Sequence, residues 1–233
     1  MIIKIKNQNV MTTVKANELA KRINQMKHHF KDFDILVINN GRIHNATFTC
    51  SINCEATEGI ETVISYKWFI KILKAFKKDN IYFEMNGSSF VINSYDRKFS
   101  ANSEVFDKFD DKGMLSLIPL SDEVFELSKK DIDLIKRSKK FVSKDGLRPV
   151  MNTTLLSKEG YIVASNGHQM YYKRFNKEIT KDYMTTVIPV SDCFVKKVVK
   201  KEKEEYPKKY IQFTYSNGDY ELNEEPEGNF PNY

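Results

Sequence analysis

Cysteine, proline, glycine and long apolar runs are all scarce in this chain, and each shortage argues against a class of protein. No apolar stretch reaches the roughly 18 residues of a membrane-spanning helix. Lys4 and Lys6 interrupt the beginning of the chain, where a signal peptide requires an apolar block. The 3 cysteines are an odd and sparse set, which predicts a reduced, cytoplasmic protein. With only 6 prolines and 9 glycines, a long disordered linker is not expected.

Motifs of enzymatic sites are equally scarce. The sequence contains no glycine-rich phosphate loop, no HExxH or GxSxG motif and no paired CxxC. Cys50 and Cys54 lie four residues apart among apolar neighbours, which favours core packing over metal binding. We therefore expect a protein that is not an enzyme and needs no metal or cofactor.

The charge balance permits a polyanionic partner without identifying one. The chain carries 37 Lys and Arg against 31 Asp and Glu, a net charge of +6. An excess of positive charge favours association with polyanions. The length of 233 residues suffices for one or two domains with cores of their own.

Two segments about half the chain apart follow the same pattern. Residues 61–93 and 185–223 each contain a Thr-Val-Ile triplet, a Lys-rich amphipathic segment, and two alternating segments around an Asn-Gly pair. Asn-Gly tolerates the positive φ angles of tight hairpin turns, and two further pairs stand at 40–41 and 166–167. The pattern predicts a duplicated chain with four hairpins. We expect two domains, 1–113 and 114–233.

The apolar periodicity predicts an α+β fold. Between residues 47 and 56 apolar and polar residues alternate, which is typical of an antiparallel strand with one buried face. Segments 14–30, 66–78 and 129–142, and the segment after Ser191, have apolar residues at helical spacing. Each domain is therefore expected to hold two helices on one face and antiparallel sheet on the other.

The exposed faces of these predicted helices are almost purely cationic. Ordinary surface helices mix Glu with Lys, because like charges four residues apart repel each other. A general lysine bias of the genome is the alternative explanation. The segregated charge predicts a surface that binds nucleic-acid phosphates without reading bases. The predicted DNA-binding residues are Lys21, Arg22, Lys67, Lys71, Lys74, Lys78, Lys136, Arg137, Lys140, Lys196, Lys197, Lys200 and Lys201.

Four short motifs in the second half resemble a known family. They are LRPVMN at 147–152, VASNGHQMY at 163–171, VIP at 187–189 and EGNFPNY at 227–233. Their order and spacing are similar to those of the middle domain of bacterial DNA sliding clamps, the β subunits of DNA polymerase III. Residues 61–103 resemble the second half of that family's first domain, so the resemblance extends over the whole chain.

The resemblance implies a DNA-clamp fold of two tandem domains, each a duplicated β-α-β-β-β unit with helices on one face and antiparallel sheet on the other. It implies a processivity factor that encircles double-stranded DNA and tethers a polymerase. Polymerase and clamp-loader peptides would enter a hydrophobic cleft beside the middle domain. Mapped by motif, the cleft residues are Met151, Ser165, Gly167, His168, Met170 and Pro231.

The chain also departs from the family pattern. Asn166 and Gln169 stand where the family turn has Asp and Arg, and Thr153 stands where the family has Gly. The family continues into a third domain where this chain ends at Tyr233. Two expectations remain open: a fragment of a three-domain clamp, or a complete two-domain clamp of which three copies form a ring. The alternative function is a nucleic-acid-binding regulator that has the clamp fold but does not encircle DNA.

Overall fold

The computed structural model describes residues 12–30, 34–102, 117–120, 122–175, 177–200 and 207–231. The chain divides into two compact units, unit 1 over residues 1–109 and unit 2 over residues 110–233. The predicted boundary between residues 113 and 114 lies outside the described residues. Both units contain helices and antiparallel sheets, so the predicted α+β class is confirmed.

Unit 1 consists of two halves, each made of a leading strand, a helix and three further strands. The first half contains β1 (Val14–Lys15), α1 (Ala16–Gln25), β2 (Leu36–Asn39), β3 (Arg42–Asn45) and β4 (Cys50–Asn53). The second half contains β5 (Glu61–Ile64), α2 (Tyr66–Phe76), β6 (Asn80–Asn86), β7 (Ser89–Asn93) and β8 (Lys98–Asn102). A 3-10 turn, Lys27–Phe30, follows α1, and another, Glu55–Thr57, follows β4.

Unit 2 repeats this order except that its second half lacks a helix within the described residues. After β9 (Leu117–Pro119), its first half contains β10 (Phe125–Leu127), α3 (Lys129–Ser138), a 3-10 turn (Pro149–Asn152), β11 (Thr154–Leu156), β12 (Tyr161–Ser165) and β13 (Met170–Arg174). Its second half contains β14 (Tyr183–Thr185), β15 (Cys193–Lys200), β16 (Lys208–Tyr215) and β17 (Tyr220–Glu224).

In both units the leading strand of each half pairs with a strand of the other half. In unit 1, β1 pairs with β6 and β5 pairs with β2. In unit 2, β10 pairs with β15 and β14 pairs with β11. All of these pairs are antiparallel. The shared exchange confirms that the two units have one plan, although the strand equivalent to β5 is β14 rather than the Thr-Val-Ile triplet at 186–188.

Each of the four Asn-Gly pairs lies at a hairpin, as predicted. Asn40 and Gly41 have φ angles of 41° and 85° between β2 and β3, which fits a type I′ turn. The turn between β6 and β7 is shifted by one residue, because Asn86 still pairs with Ser89 and the loop is Gly87-Ser88. The remaining two pairs lie in the loops between β12 and β13 and between β16 and β17.

Helix α2 shows why the periodicity identified helices correctly in unit 1. The Ser65 hydroxyl accepts the backbone N–H of Trp68 at 3.1 Å, and Asp34 accepts the N–H of Lys67 at 2.8 Å, so the first turn is capped. The apolar arc points inward, and the Phe69 ring lies 6.0 Å from the Phe83 ring and 6.2 Å from the Phe90 ring between centroids. The core of unit 1 therefore lies between α2 and the sheet containing β6 and β7.

The predicted helix after Ser191 is wrong, because this segment is strand β15. All eight residues of β15 pair in register with β16. Val195 is buried on one face of the strand, and Val198 is buried on the other face against Tyr210 and Leu222. A strand buried on both faces loses its alternation, and its apolar spacing then resembles that of a helix.

The assignment of Lys196, Lys197 and Lys200 to a helix is therefore also wrong. Lys196 and Lys200 lie on β15, and Lys201 lies outside the described residues. The ammonium group of Lys197 is bound by other side chains of unit 2. Its Nζ lies 2.8 Å from the Glu225 carboxylate and 5.0 Å from the centroid of the Tyr183 ring. Only 16% of the Lys197 side chain and 6% of the Glu225 side chain are exposed.

Side chains bind the backbone of the connector between β14 and β15, residues 186–192, which forms no helix. The buried Asn223 Oδ1 accepts the N–H groups of Thr186 at 2.9 Å and of Val187 at 3.1 Å. The Lys139 ammonium donates to the carbonyl of Thr186, and the Tyr215 hydroxyl accepts the N–H of Val190 at 3.1 Å. Burial lowers the pKa of Lys139. Backbone groups that a helix would pair internally are thus paired with side chains.

We predict that Asn223→Ala destabilises the protein by about 2–3 kcal/mol, because two backbone N–H groups lose their buried acceptor. Urea unfolding monitored by circular dichroism measures the loss. Asn229→Ala, which truncates an exposed amide, is the control and should change stability by less than about 0.5 kcal/mol. Equal stability of the two variants would contradict the role assigned to Asn223.

We also predict that Lys197→Met costs about 3–5 kcal/mol, because it leaves the Glu225 carboxylate buried without its cation. The double variant Lys197→Met/Glu225→Gln should recover most of the loss, since a Gln oxygen can still accept the Met184 N–H that now lies 3.0 Å from Glu225. Lys208→Met, at an exposed pair with Glu224, is the control and should cost less than about 1 kcal/mol. Denaturant midpoints distinguish these outcomes, and a double variant no more stable than Lys197→Met would refute the argument.

Candidate nucleic-acid face and partner cleft

Helix α2 presents a purely cationic face to solvent. Its apolar residues Phe69, Ile72, Leu73 and Phe76 are all buried, as predicted. Four exposed lysines accompany them, three on the helix and one two residues beyond its end, and none forms an ion pair with another described residue. They are Lys67, Lys71, Lys74 and Lys78. Their mutual repulsion opposes folding of the helix, so the face is suited to an external polyanion.

Helix α1 contributes less charge than predicted. It packs beside α2, with Leu19 and Ile23 fully buried. Lys21 is exposed, but the half-buried Arg22 donates from a guanidinium nitrogen to the carbonyl oxygen of Asn53 at 2.6 Å. Arg22 therefore links α1 to strand β4 by a hydrogen bond. Of the two predicted DNA contacts, Lys21 is the more accessible.

In unit 2, helix α3 carries a mixed but mainly basic face. Lys136, Arg137 and Lys140 are exposed, as predicted, and Asp133 is exposed among them. The helix begins with a capping box in which Ser128 and Asp131 exchange hydrogen bonds. On its buried side the Ser138 hydroxyl lies 2.7 Å from the Thr154 hydroxyl of β11. One face of the sheet β13-β12-β11-β14 therefore packs against α3.

The predicted cleft residues gather around the hairpin between β12 and β13. Ser165 pairs with Met170 at the end of the hairpin, and 53% of Met170 is exposed. Gly167 has a φ of +87°, a conformation that side chains rarely adopt, and a Cβ there would lie 3.8 Å from the Met151 Cε. His168 is exposed beside them. Five of the six predicted residues thus belong to this hairpin or to the 3-10 turn next to it.

Polar side chains of the turn hold its shape. The Asn166 Oδ1 accepts the backbone N–H groups of His168 at 3.0 Å and of Gln169 at 2.8 Å. The Ser165 hydroxyl accepts the N–H of Gly167 at 3.1 Å. Asn166 and Gln169, the two departures from the family motif, are therefore compatible with an ordered turn.

The sixth predicted residue, Pro231, belongs to a segment that crosses the sheet face opposite α3. Phe230 packs there against the buried cluster of Leu155, Val163 and Met184. Pro231 and Phe230 line a groove of about 1280 Å³ on this face. Ser165 and Met170 share the face with Val163, because residues two apart on a strand point the same way. The cleft and the groove therefore lie on one side of the sheet.

Sequence reasoning missed this groove, here called the lysine-rimmed groove. It is defined by Tyr161, Tyr172, Met184 and Phe230 on its apolar surface and by Lys158, Lys181 and Lys209 at its rim. The alternation of Met170 and Tyr172 along β13 was the available signal. The rim could not be found in the same way, because its lysines come from three separate segments of the chain.

No helix among the described residues has the length and apolar character needed to cross a membrane.

Neither the models of known protein families nor the curated proteins include a match to this sequence. Solved structures do match. The DNA polymerase III subunit beta from Pseudomonas aeruginosa has a TM-score of 0.67 and 14% identity, covering 95% of this chain and 66% of that one. The Bacillus subtilis sliding clamp has a TM-score of 0.64 and 12% identity, covering 94% and 65%. The Helicobacter pylori beta clamp bound to a DNA ligase peptide has a TM-score of 0.60 and 14% identity, covering 95% and 68%.

The chain thus spans about two thirds of the length of these clamps. Similarity at such low identity establishes architecture rather than activity. The paired halves, the exchanged leading strands and the structural matches agree on one conclusion, which confirms the resemblance found in the sequence. The chain has the fold of the bacterial DNA sliding clamps, the beta subunits of DNA polymerase III.

Proposed function

We propose that this chain is a DNA polymerase processivity factor that encircles double-stranded DNA and tethers a polymerase to it. The observation that carries the proposal is the row of exposed lysines on α2, Lys67, Lys71 and Lys74, none of them in an ion pair within the described ranges, on a clamp fold. Exposed ammonium groups contact phosphates without reading bases. Such contacts hold DNA while permitting movement along it. Catalysis has no part in this role.

The proposed DNA contacts are the basic residues that lie on the helices or within two residues of a helix end. They comprise Lys21, Lys67, Lys71, Lys74, Lys78, Lys136, Arg137 and Lys140, with Arg22 as an anchoring residue. Encirclement would be completed by further copies of the chain, and three copies would supply six clamp units. The partner's peptide would bind at the hairpin between β12 and β13.

A non-encircling nucleic-acid-binding regulator is the second candidate. It is favoured by the non-helical connector between β14 and β15, because unit 2 has only one basic helix among its described residues. Encirclement predicts retention on closed circular DNA and rapid loss from the same DNA after linearisation. Equal retention on both forms would favour the regulator.

We predict that Lys71→Glu/Lys74→Glu weakens binding to duplex DNA at low salt by about tenfold or more. Each lost phosphate contact should reduce the slope of log affinity against log salt by roughly 0.9. Lys136→Glu/Lys140→Glu should also weaken binding to duplex DNA at low salt. Fluorescence anisotropy with labelled duplexes of unrelated sequence measures both effects.

The matched control for DNA binding is Lys158→Glu/Lys181→Glu. It changes the net charge equally but alters lysines at the groove, outside the basic helices. Its DNA affinity should stay near that of the unaltered protein after allowance for net charge. Equal losses in the helix variants and the control would reject the helix face as the DNA-binding surface.

We predict that Met170→Asp abolishes binding of a short apolar peptide at the proposed cleft, because it places a charge on the exposed apolar contact. The fold should survive, since 53% of Met170 is already exposed. Met85→Asp, at an exposed methionine on β6 of unit 1, is the control and should leave peptide affinity unchanged. Peptide titration by anisotropy tests the pair, and undiminished affinity in Met170→Asp would reject the cleft.

A further inference from the structure

The lysine-rimmed groove is continuous with the proposed cleft along one face of the sheet. Met170 and Tyr172 are two residues apart on β13 and pair with Ser165 and Val163 on β12. The Tyr172 ring stacks on the Tyr161 ring with centroids 4.3 Å apart, and 41% of Tyr172 is exposed. An apolar track therefore runs from the cleft at Met170 into the groove at Tyr161.

Three lysines at the rim have no internal counterion. Lys158, Lys181 and Lys209 are exposed, line the groove and make no ion pair in the described parts of the chain. In contrast, the neighbouring Lys208 lies 3.7 Å from the Glu224 carboxylate. The ammonium groups of these three rim lysines are thus not held in ion pairs by other described residues of unit 2.

Two carboxylates of the groove are already engaged. Glu225 is bonded to the half-buried Lys197 and to the N–H of Met184. Asp182 accepts the backbone N–H of Lys158 at 2.8 Å. Their oxygens are occupied in part by these bonds, and none of the groove's carboxylates lies in an ion pair with Lys158, Lys181 or Lys209 among the described residues, so a partner's carboxylate can bind there.

We infer that the lysine-rimmed groove binds an acidic segment flanking the apolar residues of the partner peptide. The inference rests on the proposed peptide cleft and adds a charge requirement to it. The apolar residues of the peptide contact Met170 and Tyr172. The Asp or Glu side chains of its flanking segment contact Lys158, Lys181 and Lys209. The groove thereby selects among peptides that share the same apolar core.

A peptide fits the charges of this groove better than a nucleic acid does. Glu159, Glu224 and Glu227 also line it and would repel a strand that carries a phosphate at every nucleotide. A peptide can place its carboxylates opposite the lysines and leave neutral residues beside the glutamates. Stacked Tyr161 and Tyr172 would accept an apolar or aromatic side chain.

The test compares synthetic peptides that share one Leu- and Phe-containing core and differ only in the flanks, which carry either Asp and Glu or Asn and Gln. We expect the acidic peptide to bind on the order of tenfold more tightly at low salt, with the advantage shrinking as salt increases. In Lys158→Gln/Lys181→Gln/Lys209→Gln the advantage should disappear, and in the corresponding triple Glu variant it should reverse. The neutral peptide should bind all three proteins similarly.

The matched control is Lys129→Glu/Lys130→Glu/Lys144→Glu. It changes the net charge by as much as the triple Glu variant of the rim does, but at exposed lysines that do not line the groove. It should retain the preference for the acidic peptide. Equal affinity of the acidic and neutral peptides for the unaltered protein would overturn the inference while leaving the cleft intact. Absence of binding by either peptide would overturn the cleft and the inference together. A further outcome would also overturn the inference. If oligothymidylate displaces the acidic peptide from the unaltered protein but not from the triple Gln variant, the groove binds nucleic acid.

Discussion

Exchange of leading strands between the two halves of each unit is the constraint on which the rest of the structure depends. Because β1 pairs with β6 and β5 pairs with β2, neither half of unit 1 can complete a sheet alone. The same exchange joins β10 to β15 and β14 to β11 in unit 2. The helices follow directly after leading strands, so the exchange also fixes where their cationic faces lie.

In unit 2 a single sheet separates the two proposed binding surfaces. Alternation along β11 sends Thr154 toward Ser138 of α3 and Leu155 toward Phe230 on the other face. On the proposed function, phosphate contacts at α3 and peptide contacts at Met170 therefore occur on opposite faces of one rigid layer. A partner peptide and DNA would not compete for the same side chains, which suits a protein that must hold both at once.

Most of the fold and part of the site could be predicted. Asn-Gly pairs identified four of the hairpins, since local backbone geometry alone favours these turns. The buried and charged arcs of α2 followed from helical spacing. Arg22 and Lys197 were assigned to DNA because both are cationic, but the acceptors that occupy them, Asn53 and Glu225, are distant in sequence. The rim of the groove was missed for the same reason, because it assembles from separate segments.

The sequence by itself determined the duplicated α+β plan, the hairpins and the helices whose caps and apolar spacing are local. Tertiary structure decided the state of residues 193–200, whose apolar spacing fits a helix or a strand buried on both faces. All eight of these residues pair with β16, and Val198 packs against Tyr210 and Leu222 on the second face of the strand. The connector before β15 forms no helix, and Asn223, Lys139 and Tyr215 form hydrogen bonds with its backbone groups instead. Pairing with partners distant in sequence outweighed local helix periodicity, since burial on both faces gains more than one amphipathic face could.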